Sequence, residues 1–212
     1  ANDFGSTLTV VSGQNVTLVD TNSLDLGPST VTGNLNVTTS GAITDSGVIS
    51  VGGTTTLAAG VANDITLNNA NNLSGAVTIT TGNNVTLNSN NAVDLAGAAV
   101  TGNLGVTANG AITDSGDISV GGTTTLAAGA LNDITLDQAA NNFGGAVSIT
   151  SGKDVTLVDA DAIVLGTASV SGDLDVSSSG NITNAGPLAI TGTTTLAAGA
   201  TNDIALNNPG NH

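Results

Sequence analysis

Sulfur-containing, large aromatic and cationic side chains are almost missing from this chain. Its 212 residues include no cysteine, methionine, tryptophan or tyrosine, and only two phenylalanines. Without cysteine, no disulfide can staple the fold. Without tryptophan or tyrosine, a core must be filled by small aliphatic side chains, which favours a narrow, uniform interior over an irregular globular one.

The charge is almost wholly of one sign. All 16 acidic residues are aspartate, Lys153 is the lone cation among lysine and arginine, and the formal net charge is −15. Because such a surface cannot neutralise phosphates, we expect no nucleic-acid partner and no attraction to anionic membranes. No apolar run reaches the roughly 18 residues that a membrane-spanning helix needs, so we predict no membrane insertion.

The chain instead contains a repeat. The block TTTLAAG occurs three times at a nearly constant spacing, at 54–60, 123–129 and 193–199. Fixed recurrence indicates a repeat architecture. Within each period, triplets such as VTL at 85–87 alternate apolar and polar residues, which is the pattern of a half-buried strand. Clusters of Gly, Asn, Asp and Ser between the triplets are typical of turns.

Short strands, polar turns and a long period predict an all-β fold, a parallel β-helix (β-solenoid). The short apolar anchors suggest about three coils of three strands in each period, and about nine coils in total. We expect one solenoid over 1–212, with repeat units of approximately 1–69, 70–138 and 139–212. An antiparallel sandwich is the alternative, but it does not predict the recurrence of loop sequences.

Several positions test this fold. The aliphatic residues of the VTL triplets should point inward in stacked columns, and the threonines outward: Val16, Leu18, Val85, Leu87, Val155 and Leu157 against Thr17, Thr86 and Thr156. Phe4, Leu73 and Phe143 align and should occupy one equivalent position. Three glycines recur where the chain bends, and some should have a positive φ, which only glycine adopts without strain. They are Gly33, Gly102 and Gly172.

The recurring blocks also resemble a known family. GNLxVT at 33 and 102, GAITDSG at 41 and 110, TTTLAAG and NDITL resemble the repeats of filamentous-haemagglutinin-like bacterial surface proteins, over all 212 residues. This resemblance implies a right-handed parallel β-helix that forms the shaft of a very large secreted protein, commonly exported by two-partner secretion. It implies a cell-surface or extracellular location and a mechanical role, as a fibre or adhesin shaft.

The residues give little support to catalysis. His212 is the only histidine and the last residue, with no cysteine as a partner. Glycosidase chemistry needs paired carboxylates, and three close pairs exist: Asp114 with Asp117, Asp159 with Asp161, and Asp173 with Asp175. Sugar sites usually also need aromatic platforms, which this chain lacks. We therefore interpret these pairs as solvated turn residues, and predict no catalytic residue and no enzyme.

Calcium is the cofactor candidate that stays open, because Asp and Asn oxygens are suitable hard ligands. Asp64, Asp133 and Asp203 each follow an asparagine in a phrase similar to the calcium-binding β-roll nonapeptide. That motif builds its sites by recurring in every nonapeptide, whereas here the phrase recurs only once in each long period. Three coils, about 14 Å, would separate the carboxylates, so they cannot share an ion. A turn that caps a strand is the alternative role.

Threonine pairs such as Thr54 with Thr56 and Thr78 with Thr80 suggest an ice-binding face, but they do not recur in every coil. Threonine is also a good residue for an exposed strand. A surface module that binds glycan, calcium or ice is therefore the alternative function.

Both ends of the chain fall in the same loop of the repeat. The connection from Leu206 through His212 and on to Thr7 of a next copy is only slightly longer than the equivalent connections 67–76 and 136–146. An open solenoid end is an unpaired sheet edge, so we predict a head-to-tail homopolymer or a longer repeat array, with a host or neighbouring cell surface as a further partner. The predicted assembly interface is Ala1, Asn2, Asp3, Phe4, Pro209, Gly210, Asn211 and His212.

Overall fold

The computed structural model describes residues 2–212, so Ala1 of the expected interface lies outside the described residues. This part of the chain contains 24 strands joined by turns and bends, and no helix. No helix among residues 2–212 is therefore long and apolar enough to cross a membrane.

The strands fall into the three periods of the sequence. The first contains β1 (Val16–Asp20), β2 (Leu24–Leu26), β3 (Ser29–Val31), β4 (Leu35–Thr39), β5 (Ile43–Asp45), β6 (Ile49–Val51), β7 (Thr55–Ala58), β8 (Ile65–Leu73) and β9 (Val77–Gly82). The second contains β10 (Val85–Ser89), β11 (Val93–Val100), β12 (Leu104–Ala108), β13 (Ile112–Val120), β14 (Thr124–Ala127), β15 (Ile134–Leu136), β16 (Asn142–Phe143) and β17 (Val147–Gly152). The third contains β18 (Val155–Asp159), β19 (Ile163–Val170), β20 (Leu174–Ser178), β21 (Ile182–Asn184), β22 (Leu188–Ile190), β23 (Thr194–Ala197) and β24 (Ile204–Ala205).

Two long parallel sheets enclose the core. The first sheet runs β1-β4-β7-β9-β11-β13-β15-β18-β20-β23, and the second runs β2-β5-β8-β10-β12-β14-β17-β19-β21-β24. Paired strands are parallel and lie one turn of chain apart, as when Val16 lies opposite Leu35 and Thr124 opposite Val147. The fold is therefore a parallel β-solenoid of about ten turns, as predicted, and not an antiparallel sandwich.

Each period makes seven half-turns rather than a whole number of coils. Val16 lies in the first sheet, the equivalent Val85 in the second, and Val155 in the first again. Equivalent residues of consecutive repeats therefore lie on opposite sheets. The expectation of three three-stranded coils was wrong because some neighbouring anchors belong to one bent side: β2 and β3 correspond to the single strand β11, and β5 and β6 to β13.

The core consists of stacked aliphatic side chains, as the alternating triplets predict. Val85 and Leu87 in β10 are at most 1% exposed, whereas Thr86 between them is exposed. The triplet in β18 behaves alike, although Thr156 is half-buried. The two aliphatic residues of the triplet in β1 are only partly buried, because β1 pairs along its length with β4 alone.

Phe4, Leu73 and Phe143 occupy one equivalent position, as predicted. Leu73 and Phe143 each lie opposite the last residue of a strand in the preceding turn, β6 and β13 respectively. The backbone N–H groups of Phe4 and Phe143 each donate a hydrogen bond of 3.3 Å to an aspartate 16 residues further along the chain.

The prediction of a positive φ at Gly33, Gly102 and Gly172 was wrong. Positive φ angles occur instead at Gly60 (86°), Gly97 (115°), Gly129 (83°) and Gly199 (77°). A Cβ at Gly102 would lie 2.5 Å from Oδ1 of Asn84 in the preceding turn. Glycine recurs at this position because the coil beneath it leaves no room for a side chain.

Candidate functional site

The three calcium candidates lie at strand starts on alternating sides of the solenoid. Asp64 and Asp203 precede β8 and β24 in the second sheet, whereas Asp133 precedes β15 in the first. The expected spacing of three coils along one side was wrong, because a repeat spans an odd number of half-turns. In the described part of the chain, no group of three or more Asp, Glu, His or Cys side chains is placed to hold a metal ion.

The Asp64 carboxylate accepts hydrogen bonds from the next turn. Its Oδ1 accepts from the backbone N–H of Asn84 at 3.0 Å, and from the side-chain amides of Asn83 and Asn84 at 3.0 and 3.1 Å. The backbone bond from Asn84 and these amide bonds lower the pKa of Asp64 below its ordinary value, against a smaller opposing effect of burial. The carboxylate therefore stabilises the next turn by accepting hydrogen bonds from it.

The same type of contact continues as a ladder along the axis. Oδ1 of Asn84 accepts from the N–H of Asn103 at 3.0 Å, and Oδ1 of Asn103 accepts from the N–H of Thr123 at 2.8 Å. Equivalent ladders run through Asn15, Asn34 and Thr54 in the first repeat, and through Asp133, Asp154, Asp173 and Thr193 in the third. Each step satisfies a backbone donor that the turn would otherwise leave unpaired.

The only lysine lies where this ladder carries the most charge. The third-repeat ladder places three carboxylates in successive turns, and Lys153 Nζ lies 2.5 Å from Asp154 and 3.5 Å from Asp133. The hydrogen bond to Asp154, with the charge of Asp133, raises the pKa of Lys153. The bond from Lys153 likewise lowers the pKa of Asp154. The contact of Lys153 with Asp133 could not be predicted from the sequence, because one full turn of the solenoid separates the two residues.

A buried polar clamp lies in the second half of β8. Asn71 is fully buried, its Nδ2 donates to Oδ2 of Asp45 at 2.7 Å, and its Oδ1 accepts from the N–H of Ile49 at 2.7 Å. The second repeat has the same clamp between Asn141 and Asp114. The sequence signal was an asparagine that follows an inward aspartate by 26 residues in the first repeat and 27 in the second.

Two of the three acidic pairs that were considered for catalysis are split between the interior and the surface, whereas Asp173 and Asp175 are both exposed. Asp159 is 1% exposed, whereas Asp161 is exposed. Burial raises the pKa of Asp159, against hydrogen bonds from the N–H groups of Asp161 and Phe143. Asp114 is likewise buried in its clamp, while Asp117 faces solvent.

The predicted interface residues that the structure describes lie at the two ends of the solenoid. Asn71 contacts both adjacent coils, since its backbone carbonyl also accepts from the following turn. Of these two bonds, Asn2 makes only the one to the following turn, in which its carbonyl accepts from the N–H of Thr21. Asn211 makes only the one to the preceding turn, in which its Oδ1 accepts from the N–H of Leu188. Asn2 and Asn211 therefore hold the same position of the repeat. Two stacked copies would have both residues at one place, so the C-terminus of one does not simply continue into the N-terminus of the next. The other members, Asp3, Phe4, Pro209, Gly210 and His212, lie beside them.

The last coil exposes side chains that interior coils bury. Ile204 is 46% exposed, whereas the equivalent Ile65 and Ile134 are fully buried. Thr194 is exposed, whereas the equivalent Thr55 is fully buried. These differences arise because no described strand pairs with the outer edges of β23 and β24.

Threonines form a column on the outer face of the first sheet. Thr113, Thr135 and Thr156 lie opposite one another in consecutive turns. Asp94 precedes them and Asp175 follows them in the same column. The hydroxyl row is thus three turns long before a carboxylate interrupts it.

Comparison with known proteins identifies the repeat itself. Residues 13–80, 82–150 and 152–212 match a family described as repeats of unknown function (DUF5649). No curated protein and no solved structure matches the chain. Each matched segment begins at a glycine one period from the next, at Gly13, Gly82 and Gly152. Because the matches span almost all of the chain, it belongs to this DUF5649 repeat family.

Proposed function

We propose that this chain is a structural module, the shaft of an extracellular bacterial filament or adhesin that lengthens head to tail. The observation that carries the proposal is the continuity of the two parallel sheets through all three repeats. Each turn covers the core of the turn before it, so the same contacts can be repeated along one axis.

The geometry suits a stiff spacer. Ten turns at about 4.8 Å per turn give a rod about 48 Å long. Its backbone hydrogen bonds run along the axis, and the turn ladders add side-chain acceptors in the same direction. Bending the rod would stretch many of these bonds at once, so the rod should resist bending.

The surface chemistry agrees with a passive role outside the cell. A net charge of −15 keeps rods soluble and opposes side-by-side bundling. The resemblance to filamentous-haemagglutinin-like repeats supports a secreted bacterial protein. In this proposal the chain has no enzymatic activity, and its partners are further coils of its own kind and a host or neighbouring cell surface.

Electron microscopy and proteolysis test the proposal. The purified chain should appear as straight rods about 48 Å long or longer multiples of that length, and should resist a non-specific protease under native conditions. Round particles, or rapid cleavage within the strands, would contradict a shaft.

A calcium-binding module is the second candidate, because the third-repeat ladder stacks the carboxylates of Asp133, Asp154 and Asp173 in successive turns, although the three are not placed to hold one ion together. Calorimetric titration with calcium separates the two functions. A shaft without a calcium site gives only the heat of dilution, whereas a calcium module gives a saturable isotherm that Asp154→Asn weakens.

A further inference from the structure

In the described part of the chain, β23 has an unpaired outer edge, but its equivalents in the first two repeats are paired on that edge. β23 is equivalent to β7 and β14, which pair on their outer edges with β9 and β17. In those pairs Thr55 lies opposite Val77, and Leu57 opposite Ile79. β23 presents Thr194 and Leu196 at the same positions, with no partner among the described residues.

The segment 4–13 is the matching partner at the other end. Its sequence aligns with β9 and β17, one and two periods further along the chain. Leu8 lies opposite Leu26 and Gly13 opposite Val31, just as the equivalent residues of β9 lie opposite β11. The other edge of this segment, where β9 pairs with β7, has no partner in the described structure.

We propose that a second copy of this chain stacks on β23 and β24 through its residues 4–20, after a rotation of half a turn about the axis. This inference rests on the proposed shaft function and names its joint. The internal pairs set the register: Leu8 opposite Thr194, Val10 opposite Leu196, Val16 opposite Ile204 and Leu18 opposite Leu206.

The rotation follows from the number of half-turns. Segment 4–13 lies at the edge of the second sheet, beside Leu26 and Val31, whereas β23 belongs to the first. The ten strands along the main path of each sheet, together with this segment, make 21 half-turns, an odd number. Each added copy is therefore turned by about 180° and shifted by about 50 Å. The filament has a two-fold screw axis.

Asp203 gains a defined role in this joint. Its equivalents Asp64 and Asp133 accept the N–H of the residue that starts the next turn, Asn84 and Asp154. No described residue donates to the Asp203 carboxylate. The N–H of Asn15, the equivalent of Asn84, is placed to donate to it from the second copy.

The joint also requires that a terminal segment of one copy move out of its place. Asn2 and Asn211 hold the same position of the repeat, so Asn2 and Asp3 of one copy and Asn211 and His212 of the other cannot both stay in place. One pair must leave. Removing residues 1–3 should therefore strengthen stacking, because the displacement no longer opposes it.

Paired cysteines test both register and rotation, in a chain that has no cysteine of its own. The joint places Thr9 opposite Thr195, as Thr78 lies opposite Thr56. Adjacent strands about 4.8 Å apart are within disulfide range. Without rotation Thr9 would instead lie opposite Ala205, so Thr9→Cys with Ala205→Cys is the matched control.

After mild oxidation, Thr9→Cys with Thr195→Cys should give a ladder of disulfide-linked multimers on a non-reducing gel, and the control pair should not. Cross-linking of the control pair alone overturns the rotation. Filaments seen by electron microscopy with neither pair cross-linked overturn this joint but leave the shaft. Monomers at high concentration, with neither filaments nor cross-links, overturn the joint and also self-stacking as the way in which the shaft lengthens.

Discussion

Asn71 and Asp45 lie 26 residues apart in the chain but meet inside the solenoid, where Nδ2 of Asn71 donates to Oδ2 of Asp45 at 2.7 Å. The same Asp45 carboxylate accepts from the N–H groups of Asn68 and Asn69, so one buried group organises the second half of β8. These hydrogen bonds hold two consecutive turns together without a disulfide.

Asn71→Ala should lower the free energy of unfolding by about 2–4 kcal/mol, because it leaves the N–H of Ile49 and a lone pair of Asp45 buried without partners. Urea unfolding followed by circular dichroism measures the change. Asn72→Ala is the control, since the neighbouring side chain makes no hydrogen bond in the described structure, and it should change stability by less than about 0.5 kcal/mol. Equal effects would contradict the clamp.

Gly102→Ala should destabilise the fold by about 1–3 kcal/mol, because the new Cβ would press on Asn84 in the turn below. Gly105, three residues later, has its nearest such contact at 3.9 Å from a backbone oxygen of Val85. Gly105→Ala should therefore be neutral or stabilise by up to about 1 kcal/mol. A loss of stability in Gly105→Ala as large as that in Gly102→Ala would show that coil spacing is not the cause.

Asp159→Ser should remove a pH dependence of stability. Because burial raises the pKa of Asp159 in the folded state, the folded chain binds this proton more tightly than the unfolded chain. Stability is then greatest below the unfolded pKa and falls as the pH rises through the folded pKa. The variant carries the serine that the second repeat has at the equivalent position, Ser89. The difference in stability between variant and parent should be more favourable to the variant at neutral pH than at a pH below the ordinary aspartate range.

Urea unfolding at the two pH values measures this gain. The exposed Asp175→Ser is the control and should show no such difference. A parent chain whose stability relative to Asp159→Ser does not change between the two pH values would contradict a raised pKa at Asp159.

Lys153→Ala should lower the thermal midpoint at low ionic strength, because it leaves the carboxylates of Asp133, Asp154 and Asp173 without a nearby cation. Added salt should restore most of the loss by screening the repulsion. Differential scanning fluorimetry at low and high sodium chloride measures both effects. Lys153→Arg keeps the charge and should stay close to the parent, whereas a loss in Lys153→Ala that salt does not reduce would point to a non-electrostatic cause.

Asp203→Ala should weaken self-association while leaving the unfolding of a single chain unchanged, since its carboxylate accepts no hydrogen bond within the described structure. Sedimentation velocity measures the association. Asp64→Ala, by contrast, should lower the stability of the single chain, because it removes the acceptor for the N–H of Asn84. Unaltered sedimentation of Asp203→Ala filaments would remove Asp203 from the joint.

The sequence by itself determined the class of fold. Alternation in triplets such as Val85-Thr86-Leu87 places aliphatic side chains on one face of a strand, and the three evenly spaced copies of TTTLAAG require a repeated unit. The equivalence of Phe4 and Phe143 could also be predicted, because identical local sequences in a repeat meet identical surroundings.

Only the tertiary structure decided how the period divides into turns. Periodicity along a strand does not say whether a polar interruption, as between β2 and β3, starts a new side or bends the same one. That choice makes the repeat seven half-turns, places Asp64 and Asp133 on opposite sheets, and brings Lys153 beside Asp133. Contacts between coils depend on the length of a whole turn, which is set by how the corners pack and not by any local pattern.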